Sequence, residues 1–277
     1  MNRILVPTDF SECAGYAEKA GIAIAKQLNA QLIFLHGLYL GLDWKRVAVS
    51  DEKKYPESRE KVKFAEQSLD ARVEAAKKAG VNVRKSLVFL ENSKNLTNSI
   101  MDEPHDLIVL GSHGKGSLKK IIIGSNTGKI LRTCKTPVLV LQKDLPLPLN
   151  FKTIVFASGL EPDTHQALKR LLEFSDGMGA ETLHFVGVTT PNNFKPTSIV
   201  MEEMKSFLSQ HDYPAIRLNN YNHYNVEAGI LEFSKLVEAN MIAISNHGRT
   251  DLSGLFIESI PENLVKYSDL PVLSIRV

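Results

Sequence analysis

The stretch Ile4-Leu-Val-Pro-Thr-Asp9 returns in the second half of the chain within Thr153-Ile-Val-Phe-Ala-Ser-Gly159, and the echo continues along the whole length. Leu183-His-Phe-Val186 answers the apolar run between Gln31 and His36, and Met241-Ile-Ala-Ile-Ser-Asn-His-Gly248 answers Ile108 to Gly114. Leu270-Pro-Val-Leu-Ser-Ile275 answers Thr136-Pro-Val-Leu-Val-Leu141. Matches in the same order and the same local context mark an internal duplication. Whatever this chain folds into, it does so twice.

Each copy alternates strand-like and helix-like segments. In the first, Arg3 to Val6 reads as a strand, and Ser11 caps a helix to about Leu28 with Cys13, Ala17, Ala20, Ile24 and Leu28 on one face. A second strand is expected from Gln31 to His36, followed by Gly37. A crossover helix runs from Lys61 to Ala79, with Phe64, Leu69, Val73 and Ala76 turned inward and Gly80 as its stop. Val81 to Phe89, Leu107 to Leu110 and Val138 to Leu141 supply three more strands, with a short helix from Leu96 to Met101. Apolar runs of this length suit strands buried on both faces of a parallel sheet. Their alternation with helices implies right-handed βαβ units and an α/β fold of two doubly wound, five-stranded parallel-sheet domains, Rossmann-like in layout, with ligands at the carboxyl ends of the strands. Lys143 to Asn150 holds two prolines and breaks the pattern, so it serves as a linker between domains 1–143 and 151–277. Strand five of each half would be an exposed apolar edge unless paired, which predicts an intramolecular pseudo-dimer and leaves a homodimer of the tandem open.

From Leu107 to Thr127 the chain passes from four large apolar residues into glycines, hydroxyls and lysines. Gly111 and Gly114 allow close approaches that a Cβ would block. Gly124, Ser125, Asn126 and Thr127 stand before Gly128-Lys-Ile-Leu-Arg132, which reads as the start of a helix. Unpaired N–H groups at a helix start, together with its dipole, favour an anion such as phosphate. No Gly-Lys-Ser/Thr closes the loop as in a P-loop, and no Gly-x-Gly-x-x-Gly follows the first strand. The spacing that remains is Gly-x2-Gly-x9-Gly-Ser, from Gly111 through Gly114 to Gly124 and Ser125.

With Ile4-Leu-Val-Pro-Thr-Asp-Phe-Ser-Glu12 before it and Pro137-Val-Leu-Val-Leu141 after it, this spacing resembles the ATP-binding branch of the universal stress protein family. The resemblance implies a strand order 3-2-1-4-5 and a site for ATP, with or without Mg²⁺. It puts adenine against Pro7 and the main chain at Gly37, ribose at Asp9 and Gly111, and phosphates at Gly114, Gly124, Ser125 and Asn126. Gly37 departs from the bulkier apolar residue frequent at that place, so the ring would pack less closely there. The resemblance further implies a nucleotide-dependent regulator of the stress response, whose protein partner these residues do not name. Taken without it, Asp9 reads as a turn or capping residue ahead of a ribose ligand, and Lys115, Lys119 and Lys120 read as a solvated face.

The two copies differ where the ligand would sit. Asp9 becomes Gly159, Gly111 becomes Ser245, and Gly124-Ser125 becomes Glu258-Ser259, while Gly114 keeps its counterpart in Gly248. A carboxylate about 4 Å from phosphate at an effective dielectric near 20 repels it by roughly 4 kcal/mol, against at most about 1 kcal/mol from a helix terminus. The second half is therefore expected to be degenerate and to bind no ATP in this manner. His113 and His247 occupy equivalent places and read as structural. His211 and His223 have no spaced partner set for a metal, and no metal site is expected. Cys13 and Cys134 read as buried thiols.

The 277 residues carry a net charge of only +2 with 43% hydrophobic residues, as expected of a globular protein. With no leader pattern and no apolar run long enough to span a bilayer, the expectation is a cytoplasmic protein that does not engage membranes. The near-neutral balance, without a basic stripe interleaved with aromatics, argues against nucleic acid. Phosphoryl transfer needs a placed acceptor, metal-bridged oxygens and stabilised charge. One carboxylate engaged with ribose, and no second acid in the loop, predict at most slow ATP hydrolysis and name no catalytic residue. Two other classes fit the same residues: a genuine adenine-nucleotide hydrolase, and a nucleotide-free interaction module whose glycines are only turns.

Overall fold

The computed structural model describes residues 1–90, 96–102, 104–112, 124–161, 164–209, 216–246 and 259–277. In the first half, β1 (Arg3–Pro7), β2 (Gln31–Tyr39), β3 (Val83–Leu90), β4 (Leu107–Gly111) and β5 (Val138–Leu141) alternate with α1 (Glu12–Leu28), α2 (Pro56–Lys78), α3 (Leu96–Met101) and α4 (Ser125–Thr133). The second half repeats the plan. Its strands are β6 (Thr153–Ala157), β7 (Thr182–Thr189), β8 (Ile216–Asn222), β9 (Met241–Asn246) and β10 (Val272–Arg276), and its helices are α5 (Thr164–Gly177), α6 (Thr197–Leu208), α7 (Val226–Leu236) and α8 (Ile260–Tyr267).

Within each half the strands run parallel in the expected order, third, second, first, fourth, fifth. The fifth strands then pair antiparallel, Val140 opposite Val272 and Leu139 opposite Leu273, so one sheet runs through both halves. The apolar edge that each half would expose is thereby covered by its twin. Alternation along the strands builds two cores. Ile4, Val6, Leu32, Phe34, Leu107 and Val109 face α1 and α2, and Leu5, Ile33, Leu35, Ile108 and Leu110 face α3 and α4.

Several boundaries differ from expectation for local reasons. β2 does not stop at His36 but runs through Gly37, which pairs with Val88, to Tyr39. β3 begins at Val83 rather than Val81. α2 starts five residues earlier than Lys61, because Pro56 sits in its first turn, where a missing N–H is no loss. Phe64 is not a core residue: it is 62% exposed and meets Phe10 edge-on at 6.0 Å, while Ala65 takes the buried place. α4 begins at Ser125, three residues ahead of Gly128. In α1 it is Ala14 that is fully packed and Cys13 that is half-buried.

Candidate functional site

The carboxyl ends of β1, β2 and β4 open on one side of the sheet, and α4, which returns the chain from β4 to the parallel β5, must point its N-terminus to that same side. Thr8, the residue after β1, is buried and tied down at every polar atom. Its N–H donates to Leu35 O at 2.8 Å, its hydroxyl donates to Glu18 Oε1 at 2.5 Å, and the Phe10 N–H donates to that hydroxyl at 3.0 Å. His36 Nδ1 lies 2.7 Å from the Thr8 carbonyl oxygen, and because a carbonyl only accepts, that nitrogen carries the proton. Glu18 also accepts from Arg72 Nε at 2.5 Å, an ion pair whose side chains are only 13% and 22% exposed. The Arg72 guanidinium lies 4.6 Å over the Phe10 ring, which stacks on His36 at 4.3 Å. These contacts hold Phe10 at φ 65°, a left-handed conformation that costs a residue with a Cβ about 1–2 kcal/mol. Between Thr8 and Phe10, Asp9 is pushed outward. It is exposed, and its Oδ1 accepts the Ser11 N–H at 3.0 Å, ahead of the predicted N-cap, in which Ser11 Oγ accepts the Ala14 N–H.

At the end of β4, a Cβ on Gly111 would overlap the backbone carbonyl of Cys13, so α1 lies directly on the strand end. Only glycine permits that approach. The next residue, Ser112, is buried, and its hydroxyl makes no hydrogen bond among the described residues. α4 has Gly124 as its N-cap residue, which has no side chain to accept from the first turn, and Gly124, Ser125 and Asn126 are exposed. Among the described residues its leading N–H groups therefore have no side-chain partner. The Cys13 thiol is pushed up by burial and by the neighbouring Glu12 and Asp9 charges, and burial likewise raises Cys134, so both stay protonated near neutrality.

The corresponding end of the second half is filled by its own side chains. Ser158 Oγ contacts the hydroxyls of Ser245 and, at 3.0 Å, Thr164, and the Thr164 hydroxyl donates to Gly159 O at 3.1 Å. A Cβ on Gly159, the counterpart of Asp9, would fall on the Glu161 carboxylate. The start of α8 is closed by a capping box: Glu262 Oε2 accepts from the Ser259 N–H at 3.0 Å and hydroxyl at 2.8 Å. An internal carboxylate thus occupies the N-terminal turn of α8, where Gly124 offers α4 no side chain.

The universal stress protein family profile matches this chain twice, over residues 1–142 and 150–276. The chain belongs to the universal stress protein family. A universal stress protein of Methanocaldococcus jannaschii is 30% identical over 158 aligned positions, an alignment that covers 51% of this chain and 94% of that protein. Universal stress protein E of Escherichia coli K12 is 25% identical over 224 residues, 72% of this chain and 69% of that one. In structure, the crystal structure of a universal stress protein from Archaeoglobus fulgidus covers 99% of this chain and 98% of its own with a TM-score of 0.75 at 18% identity, a likeness of fold.

In this universal stress protein the fold gathers Pro7, Asp9, Gly111, Gly124, Ser125 and Asn126 at the carboxyl side of the first half's strands. Gly37 lies inside β2 rather than after it, and the space its Cβ would occupy is taken by Leu90 and Leu96 at 2.9 and 3.0 Å. Gly114, His113, the three loop lysines, His211, His247, Gly248 and Glu258 lie outside the described residues. Among the described residues no group of three His, Cys, Asp or Glu could hold a metal, and no helix is long and apolar enough to cross a membrane. His223 settles into a turn, its Nδ1 accepting the Asn225 N–H at 3.0 Å. Sequence reasoning passed over Thr8, Glu18, Arg72 and Glu262. Only the last carried a local signal, the Ser-x-x-Glu spacing of a capping box from Ser259 to Glu262.

Proposed function

We propose that the first half binds ATP at the crevice between Asp9 and the start of α4, that the second half does not, and that the tandem works as a nucleotide-dependent regulator of stress physiology with at most slow hydrolysis. The observation that carries this reading is the contrast between helix starts. α4 starts from Gly124, which has no side chain to accept from its N–H groups, and among the described residues no other side chain does so, whereas α8 has swallowed the Glu262 carboxylate at the same place. A phosphate chain supplies the missing acceptor, and the helix dipole favours its charge. Ser112, whose buried hydroxyl lacks a partner among the described residues, fits a ligand that brings polar atoms to the end of β4. In this arrangement the adenine lies by Pro7 and the β2 main chain near Gly37, and Asp9 accepts from the ribose hydroxyls beside Gly111. Gly124, Ser125, Asn126 and Gly114 donate to the phosphates, and any Mg²⁺ arrives with them. ATP then acts by favouring one arrangement of the tandem over another, which changes its affinity for a protein partner.

Calorimetric titration tests the reading. One molecule of ATP per chain should bind with a Kd between about 1 μM and 1 mM, about −8 to −4 kcal/mol. Gly124→Glu, which writes the second half's residue into the first, should abolish binding. Two molecules per chain, or no heat at millimolar ATP, would overturn the assignment, and turnover on the order of 1 per second would replace it with a hydrolase.

A further inference from the structure

On the α3 face of the first half, away from the crevice, a cavity of about 220 Å³ opens between α3 and the sheet. None of the residues assigned to ATP lines it. Its floor is Leu5, Ile33 and Leu35, all buried, and its wall includes Ser86, Val88 and Ser99, all half-buried.

The second half shows what normally fills this space. Strand register equates Ile33 with His184, Ser86 with Asn219 and Val88 with Tyr221. Ser99 and Phe233 each stand eight positions ahead of their strands, which begin at Leu107 and Met241. In the second half these four positions form a packed aromatic cluster. Phe233 meets His184 at 5.8 Å and Tyr221 at 5.7 Å, and Asn219 Nδ2 lies 3.3 Å from His184 Nδ1. The first half carries Ile33, Val88 and Ser99 in place of the three rings His184, Tyr221 and Phe233. It gains a methylene each at Leu5 and Leu35, opposite Val155 and Val186, and lines the space with Phe89 and His105 where the second half has Asn222 and Ala239, which leaves the cavity only partly refilled.

A void with an apolar floor of Leu5, Ile33 and Leu35 and a mixed wall that includes Phe89, His105 and two serines suits a flat aromatic ring that carries a polar group, since the ring covers the floor and the polar group meets the rim. The mouth carries the exposed Lys45 and Asp102, and Asp102 can accept from an N–H or O–H on the ring. We infer that this cavity binds a small aromatic molecule with one hydrogen-bond donor, of the size of a phenol or an indole, in the position that Phe233 and Tyr221 fill in the other half. The ring rests on Leu5, Ile33 and Leu35, and its donor faces Asp102. The site is separate from the ATP crevice and does not depend on it.

The test uses the full chain and 5-fluoroindole, followed by fluorine NMR. Saturable line broadening should appear with the wild type, weaken at least tenfold in Ser99→Phe and in Val88→Tyr, and persist in saturating ATP. Val88 lies on the edge strand at a half-buried place, so its variant keeps the test decisive if Ser99→Phe does not fold. Asp102→Asn, an exposed change, should weaken binding severalfold. No saturable response, wild-type binding by both filled variants, or displacement by ATP would overturn the assignment.

Discussion

Gly128 of α4 and Glu262 of α8 hold the same place in the two copies, three residues after Ser125 and Ser259, and the structure sets them against each other. A Cβ on Gly128 would lie 2.8 Å from Glu262 Oε1. The antiparallel pairing of β5 with β10 brings equivalent positions together as a two-fold axis would, and two glutamates here would repel. With glycine on one side, the carboxylate reaches Arg132 Nη1 across the seam while its other oxygen caps α8. On either side of this contact, Gln142 donates to Val265 O at 3.4 Å and Arg276 donates to Arg132 O. The seam is matched between unlike halves.

Glu262→Ala should therefore destabilise the protein by about 2–3 kcal/mol. Roughly 1 kcal/mol is the lost cap, and the remainder is the buried end of the ion pair, limited because Arg132 is 50% exposed and keeps its hydration. Glu262→Gln retains an acceptor for Ser259 and should cost about half as much. Chemical denaturation reads both, and a loss below about 0.5 kcal/mol for the alanine variant would refute this account of the seam.

Gly111→Ala forces a methyl into the Cys13 carbonyl, where neither α1 nor β4 can yield without breaking the sheet packing. A cost of about 3 kcal/mol or more is expected, at the upper end of overpacking. Ser245→Gly, at the equivalent place, should cost no more than about 1 kcal/mol, since it only removes one hydroxyl from the Ser158 and Thr164 group. Equal losses in the two variants would mean that the close approach at Gly111 is not what the position requires.

Glu18 joins Thr8 to Arg72, so Glu18→Ala strips Thr8 of its acceptor and leaves a mostly buried guanidinium without its carboxylate. About 2–4 kcal/mol should be lost. Asp9→Ala, on the exposed turn, should cost less than about 1 kcal/mol yet weaken ATP at least tenfold. Paired measurements of urea midpoint and ATP titration separate the two, and a stability loss in Asp9→Ala as large as that in Glu18→Ala would make Asp9 a structural residue only.

The strands were legible because each is a short apolar run bounded by turn residues, and the repeat doubled the signal. Val138–Leu141 and Leu96–Met101 fall where the pattern puts them. Phe64 was misplaced because helical periodicity cannot tell a ring that packs on the sheet from one that covers Phe10 at the rim. At the site, glycine and hydroxyl spacing picked out the crevice residues. The network behind them joins Thr8, Glu18 and Arg72, far apart in sequence and with no shared motif. Glu262 illustrates the limit: its capping-box spacing is local, but its contact with Arg132 exists only once the halves meet.

His184, buried in the second half's aromatic cluster, should make that half sensitive to acid. Burial first, and then the positive charge of Arg217, hold its pKa below the ordinary 6.5, while the contact with Asn219 offsets part of the shift. Below about pH 6.5 the unfolded chain takes up a proton that the folded chain refuses. The stability that is fully present above that pH is therefore lost as pH falls toward the folded-state value. For one proton the slope cannot exceed about 1.4 kcal/mol per pH unit. His184→Ile installs the residue that the first half carries as Ile33, and it should flatten the urea midpoint between pH 6.5 and about 5. At pH 7.5 it should cost only about 1 kcal/mol, for the lost contacts with Asn219 and Phe233. An acid-induced drop that survives unchanged in His184→Ile would assign the proton uptake to another group.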